Sequence, residues 1–356
     1  MSNPSVVSGT TPDQVHALYR AILRREPESQ AVIDHNTGLD PVALAVGLAD
    51  SAEGMARESR RADTPLWFSN AQIPIEEIVR SHEAKDRSAL PGRLVNYLGV
   101  RIDPAFLPAV LSGTEGRVED VPVPANWHAD MAEWAAALRA VDLAQGVFRV
   151  LELGCGWGCW LLNTGVAARN RGLDVELIGA EGDEGHVAFA ERGCAENGFS
   201  PDQARIHRGI VGPTPGTALF PKQAEAGISW GLEPVFDATP DQVAEAEAGE
   251  RYDLLPVLTL DALSGGKPLD LVHIDIQGGE AGFVEGCLSE LNRLVAYIVV
   301  GTHSREIEGR IMTMLLANGW VLEVERPALL QFHSTGEPYV SIDGVQGWRN
   351  PKLRPG

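Results

Sequence analysis

Hydrophobic positions change their period along this chain, and the changes divide it into regions. Within residues 11–60 they follow helical spacing, with Val15, Leu18, Tyr19 and Ile22 on one face. Thr11-Pro12-Asp13 supplies a helix start, Pro12 being suited to the first turn. Residues 61–125 lose that period; proline and turn residues predict a connector and partial lid, with short helical stretches near 74–82 and 92–99. Residues 126–134 lead a helix to about residue 141. From 147 to 211 apolar, β-branched runs alternate with helical segments in the order strand, helix, strand, helix, strand, which is half of a doubly wound sheet.

The rhythm breaks at 212–255, where Gly212-Pro213-Thr214-Pro215-Gly216 opens a long irregular stretch. A loop of this length in a compact domain is functional or disordered. Phe220, Trp230 and Phe236 give it apolar anchors, so it reads as a substrate-side lid, with a solvated acidic helix at 241–250. Alternation then resumes: a buried strand at 269–276, a helix at 280–291, and a strand at 296–302. Ser304 caps a further helix to residue 318, with Gly319 as its C′ residue. Closing antiparallel strands are expected at 320–325 and 338–342. The predicted organisation is a small helical domain at 1–60, the connector at 61–125, an α/β domain at 126–345 and a tail at 346–356.

Composition narrows the function. The chain has 356 residues, ordinary hydrophobic content and a formal net charge of −20, which leaves no basic footprint for nucleic acid or an anionic membrane. No apolar run is long enough for a membrane span. The first ten residues lack the basic and apolar regions of a signal peptide. Cys155, Cys159, Cys194 and Cys287 form no C-x-x-C pair, so no zinc site is assigned, and free thiols suit a cytoplasmic setting. A homo-oligomer is compatible with the sequence, which does not specify one.

Chemistry concentrates at 151–158, the run Leu-Glu-Leu-Gly-Cys-Gly-Trp-Gly between a predicted strand and helix. Such a unit builds a nucleotide-cofactor site at a strand's carboxyl end. A dinucleotide loop requires G-x-G-x-x-G, and here the third glycine position is Cys159. Glu152 would also repel a pyrophosphate; it would suit the cationic amino-acid end of S-adenosylmethionine (SAM), directly or through water. The pattern E-x-G-x-G-x-G resembles the first motif of class I SAM-dependent methyltransferases. Glu152, Gly154, Cys155, Gly156, Trp157 and Gly158 are therefore the candidate cofactor loop. The next strand ends in Glu181-Gly182-Asp183; Glu181 is the better candidate for the ribose hydroxyls, and Asp183 is open to capping the following helix.

Two later strand ends carry polar side chains, at 275–280 and 302–304. The segments HIDIQGGE (273–280), IVVGTHSREIE (298–308) and NGW (318–320), with Thr259-Leu260-Asp261, resemble the C-terminal half of FkbM-type methyltransferases over roughly 148–325. Their usual K-I-D-V-E-G-x-E has His273 and Gln277 here at the lysine and first glutamate. The resemblance implies a doubly wound, mostly parallel Rossmann-like sheet with an antiparallel C-terminal strand, preceded by a small helical domain. It further implies SAM-dependent methyl transfer to a hydroxyl of a sugar, glycan or secondary metabolite. Residues 18–27 and 48–53 loosely resemble a short helical domain attached to bacterial glycan-related proteins, and a plain packing module fits them equally.

An acceptor hydroxyl needs its proton removed as the new bond forms. His303 is the first candidate, since an unperturbed imidazole titrates near neutral pH, and Asp275 is the second, as base or as orienting group. Asp275 also falls among the cofactor contacts. Trp127, His128, Asp130, Gln277, Glu280 and Trp230 are candidate substrate contacts. Other readings stay open: Trp127 and Trp134 as core anchors, His128 as a helix-start residue, His303 as a cap, His273 as a core histidine, and Glu280 as a favourable charge at its helix N-terminus. Asp275 and Glu280 would suit Mg²⁺, but Gln277 reduces the carboxylate count, and no metal is assigned. Transfer to nitrogen, a silent scaffold and an NAD-dependent oxidoreductase are the competing functions.

Overall fold

The computed structural model describes residues 9–23, 25–51, 53–54, 69–225, 229–249 and 251–355. Residues 1–8, Arg24, Ala52, the expected helical residues 55–60 and the first part of the connector, 61–68, lie outside the described residues. So do 226–228 and Glu250 of the expected lid, and Gly356. The chain divides into two compact units, at 1–68 and 69–356.

In the first unit, a π-helical turn at Tyr19–Leu23 follows helix Pro12–Leu18 and packs on helix Pro41–Ala49, while helix Gln30–Asn36 packs on Pro12–Leu18. Thr11 and Gln14 form a reciprocal capping box, which satisfies two amides that a helix start otherwise leaves bare. Val15, Tyr19, Leu23, Leu44 and Leu48 make its core.

The second unit is built on an eight-stranded sheet. In chain order its strands are β1 (Asn70–Ala71), β2 (Val147–Leu153), β3 (Asp174–Glu181), β4 (Ala204–Arg208), β5 (Leu271–Ile274), β6 (Tyr297–Thr302), β7 (Val321–Arg326) and β8 (Gly344–Arg349). Their spatial order is β1-β7-β8-β6-β5-β2-β3-β4. Strands β6, β5, β2, β3 and β4 pair in parallel. Strand β8 is antiparallel to both its neighbours, β6 and β7. Helices follow four of the five parallel strands, among them Cys159–Asn170, Glu184–Glu196 and Arg305–Ala317, whereas β4 runs on into short strands at Ile210–Val211 and Gly216–Pro221. The expected mostly parallel, doubly wound sheet with an antiparallel C-terminal strand is present. Parallel strands covered on both faces read as continuous apolar runs, which explains why this region was legible. A core around the sheet joins Leu151, Ile178, Val272, Ile298, Val300, Leu315 and Trp348, all at most 1% exposed.

Five expectations are corrected. Residues 346–349 of the expected tail belong to β8, in the interior of the sheet. Its glycines disguised it: a Cβ on Gly347 would stand 2.8 Å from that of Ala136, so glycine lets the helix Met131–Leu143 pack close. Residues 338–342 do not join the main sheet; Pro338–Ile342 pairs with Leu329–Phe332 in a separate hairpin. The stretch 92–99 is not helical but contains strand Leu94–Val95, paired with Arg101–Ile102. Within 69–125, β1 joins the main sheet and the helix Ile75–Ser81 packs on Met131–Leu143, so this stretch is part of the α/β unit rather than a connector. The expected lid at 212–255 holds regular structure: strand Gly216–Pro221, helix Pro240–Glu247 and the start of strand Tyr252–Leu258. No helix among the described residues is long and apolar enough to cross a membrane.

Candidate active site

At the carboxyl ends of β2, β3 and β5 the sheet opens into a cavity of about 880 Å³, where ligands of open α/β sheets bind. Gly154, Gly156, Glu181, Gly182, Asp183, Trp230, Asp275 and Gln277 line it. The loop after β2 holds Gly154, Gly156 and Gly158 at φ of 72°, 51° and 78°, a region that side chains rarely adopt. A Cβ on Gly154 would collide with the carbonyl oxygen of Asp275, so glycine allows β2 and β5 to end side by side. The amides of Gly154 and Cys155 donate to the carbonyl of Ala180 at 2.9 and 3.1 Å.

Glu181 closes the opposite wall. Its Oε2 accepts from the Gly156 amide and its Oε1 from the Asp183 amide, both at 2.8 Å. Burial raises its carboxyl above the usual range, and these amides oppose the rise. Asp183 caps the helix Glu184–Glu196 by accepting from the His186 amide at 2.8 Å. That cap brings His186 to the cavity, where its ring stacks on Trp230 with centroids 4.0 Å apart. Trp230 also lies over the glycine loop, its Cζ3 2.6 Å from where a Cβ on Gly156 would stand. Sequence reasoning missed His186; its position three residues after the Asp183 cap was the available signal.

Glu152 does not line the cavity. It is 2% exposed, and its two oxygens accept from the amides of Trp160 and Leu161 at 3.1 and 2.9 Å. Gly158 is the N-cap of the helix Cys159–Asn170 and has no side chain to offer, so Glu152 satisfies the bare amides of that first turn from the preceding strand. Burial pushes its carboxyl up to about 7. Cys155, Trp157 and Gly158 line no part of the cavity either. The Cys155 and Trp157 side chains are buried, Trp157 stacking on Phe106.

Three expected substrate contacts also turn away from the cavity. Asp130 is the N-cap of Met131–Leu143, accepting from the amides of Ala132 and Glu133, and it pairs with Arg326 in the interior. His128 sits among Trp134, Trp157 and Trp160, with Nε2 2.9 Å from Cys159 Sγ, and burial lowers it to about 4. Trp127 stacks on Trp157. Asp130 is buried, Trp127 and His128 are partly buried, and none of the three lines the cavity. His273 is likewise a core histidine, 1% exposed, with Nε2 3.0 Å from Glu133 Oε1.

The remaining candidates gather at the ends of β5 and β6. Gln277 has φ of 55°, and its side-chain amide donates to Asp275 Oδ1 at 2.8 Å. The turn aims the amides of Ile276 and Gly278 at Glu280 Oε1, at 3.2 and 3.0 Å. Glu280 is fully buried. His303 places Nδ1 2.9 Å from Glu280 Oε1, off hydrogen-bond alignment, and Nε2 3.5 Å from Asp275 Oδ1 and 3.9 Å from Asp343 Oδ2. Burial alone would lower its imidazole; contact with Glu280 and the charges of Asp275 and Asp343 outweigh that and raise it to about 9. In this arrangement His303 holds its proton more tightly than the unperturbed base expected. Asp275 alone of the pair faces the cavity. Asp343 gave no sequence signal, because it is the single residue that links the hairpin to β8.

A protein of Jannaschia sp. (strain CCS1) named "Putative methyltransferase" is 45% identical over 275 residues, covering 77% of this chain and 98% of that protein. No family model matches the chain. Among solved structures, similarity extends to the O-methyltransferase from Bacillus cereus in complex with SAH, at 14% identity and TM-score 0.31 over 62% of this chain and 80% of that one. It extends also to precorrin-6y C5,15-methyltransferase from Geobacter metallireducens GS-15, at 11% identity and TM-score 0.33 over 60% and 86%.

Proposed function

Since the chain belongs to the methyltransferase family, we propose that it uses SAM to methylate a hydroxyl of a sugar, glycan or secondary metabolite, in the manner of FkbM-type enzymes. The observation that carries the reading is the bond from the Gly156 amide to Glu181. It sets a carboxylate against a loop whose cavity-lining residues, Gly154 and Gly156, carry no side chain, with each oxygen retaining a lone pair for a ribose hydroxyl. The cavity volume suits a nucleoside-sized cofactor together with part of an acceptor. When bound, SAM would supply an electrophilic methyl group.

In this reading Gly154, Gly156, Gly182 and Asp183 shape the cofactor side, and Gln277 and Trp230 the acceptor side. Asp275 takes the acceptor's proton, and His303 acts behind it by holding that carboxylate in place. Glu152 supports the cofactor loop through the helix cap rather than by touching ligand. Holding the acceptor in line supplies much of the acceleration, and proton removal a further part.

Calorimetric titration of the purified chain with SAM, and separately with NAD and NADH, tests the reading. Saturable SAM binding without dinucleotide binding is the expected result. A folded protein that binds neither SAM nor its demethylated product would overturn it.

A further inference from the structure

Asp275, Glu280 and His303 each bring one ligand atom to within 4.8 Å of the others. Metal–ligand bonds to nitrogen and carboxylate oxygen are about 2.0–2.2 Å, so ligands on opposite sides of one ion stand roughly 4 Å apart. Small side-chain adjustments would therefore bring the three around a single ion. Proximity is not the only sign. Glu280 is fully buried, and while its Oε1 is held by two backbone amides, its Oε2 has no hydrogen-bond partner. His303 Nδ1 also lacks an aligned partner despite its approach to Glu280. A buried carboxylate oxygen without a partner is costly, and a cation beside it removes the cost.

The geometry points to a divalent transition-metal site formed by Asp275, Glu280 and His303 beside the cavity, which Asp275 lines. One imidazole with two carboxylates suits Mn²⁺ or Zn²⁺ better than Mg²⁺ or Ca²⁺, which favour oxygen donors throughout. The surroundings match a ligand set: the Gln277 amide orients Asp275, and the amides of Ile276 and Gly278 fix Glu280, as outer partners do around metals. The Asp275 side chain is 45% exposed, so the site opens towards the cavity, and Asp343 stands at its rim. An ion there would draw the acceptor oxygen towards Asp275; that catalytic meaning rests on the proposed methyl transfer, whereas binding of the ion does not.

The test uses the full chain stripped with chelator, without SAM or acceptor, titrated with MnCl₂, ZnCl₂ and MgCl₂ by calorimetry, and with Mn²⁺ also followed by electron paramagnetic resonance. One equivalent of Mn²⁺ or Zn²⁺ should bind at least about tenfold more tightly than Mg²⁺. Glu280→Gln and His303→Ala should each weaken it by about tenfold or more. Should Glu280→Gln fail to fold, His303→Ala, at a partly exposed side chain, carries the test. Absence of stoichiometric binding, or binding unchanged in folded His303→Ala, overturns the inference. A parallel SAM titration separates the two ideas: metal binding without SAM binding sinks the methyl-transfer reading alone, and SAM binding without metal binding sinks the metal site alone.

Discussion

The carboxylate of Glu152, near the end of one strand, accepts a hydrogen bond from the backbone amide of Leu161 at 2.9 Å, in the first turn of the next helix. The glycine loop runs between them. A loop open enough for a cofactor has no side chain to cap the helix it starts, so the cap comes from the strand beneath. In the proposed reading, support and ligand contact are divided between two acids: Glu152 under the loop and Glu181 across from it.

This division has a pH signature. Glu152 is raised from 4.5 to about 7 by burial, so the folded chain holds its proton more tightly than the unfolded one. Its contribution is full below about pH 4.5 and is lost as pH rises to about 7. The loss is of order 3 kcal/mol. Denaturant melts of wild type and Glu152→Gln across this interval check it: the wild type should lose more stability with rising pH. Parallel curves would refute the assignment.

Glu181→Gln should fold and bind SAM about tenfold to a hundredfold more weakly. Hydrogen bonds to a charged group are worth about 1.5–3 kcal/mol, and the amide oxygen of Gln keeps an acceptor for the Gly156 amide. Calorimetry measures the change. Wild-type affinity would remove Glu181 from the cofactor site.

His303→Ala is expected to lower kcat by about tenfold to a hundredfold, as loss of an orienting partner does, with SAM affinity nearly retained. The loss should appear in kcat rather than in KM, because His303 stands behind Asp275 and does not line the cavity. Steady-state kinetics on an acceptor found by screening decides it, and an unchanged kcat would end the role.

Legibility in the sequence followed a physical line. Strand ends bearing Glu181, Asp275 and His303 stood out because each follows a continuous apolar run, and the glycines at 154, 156 and 158 mark a turn that a side chain would block. Strand β8 did not stand out: Gln346 and Gly347 read as the start of a tail, yet glycine there admits a helix and Gln346 is buried at 1% exposure. Glu152 looked like a ligand contact because its position shows in sequence while its direction does not. His303 was recognisable as a functional group, but its raised imidazole depends on Glu280 and Asp343, which only the fold brings to it.

Asp130 provides the sharpest contrast between the two levels. Beside Trp127 and His128, ahead of the first long strand, it read as a substrate contact. Instead it caps the helix Met131–Leu143 and faces Arg326, from a strand 196 residues later, with both side chains 3% exposed. Arg326 also donates to the backbone carbonyls of Pro327 and Asp343, so its guanidinium is anchored where water cannot reach it. Removing the carboxylate would strand that charge and uncap the helix together. Asp130→Ala should therefore lose about 3–5 kcal/mol of stability, a cost typical of breaking a buried pair. A substrate contact would behave differently, lowering turnover while leaving the melting transition near its wild-type position. Thermal and denaturant melts, read beside SAM titration of the folded fraction, separate the two: a large stability loss with near wild-type SAM affinity supports the structural role, and an unchanged melt with lost turnover would restore Asp130 to the acceptor site.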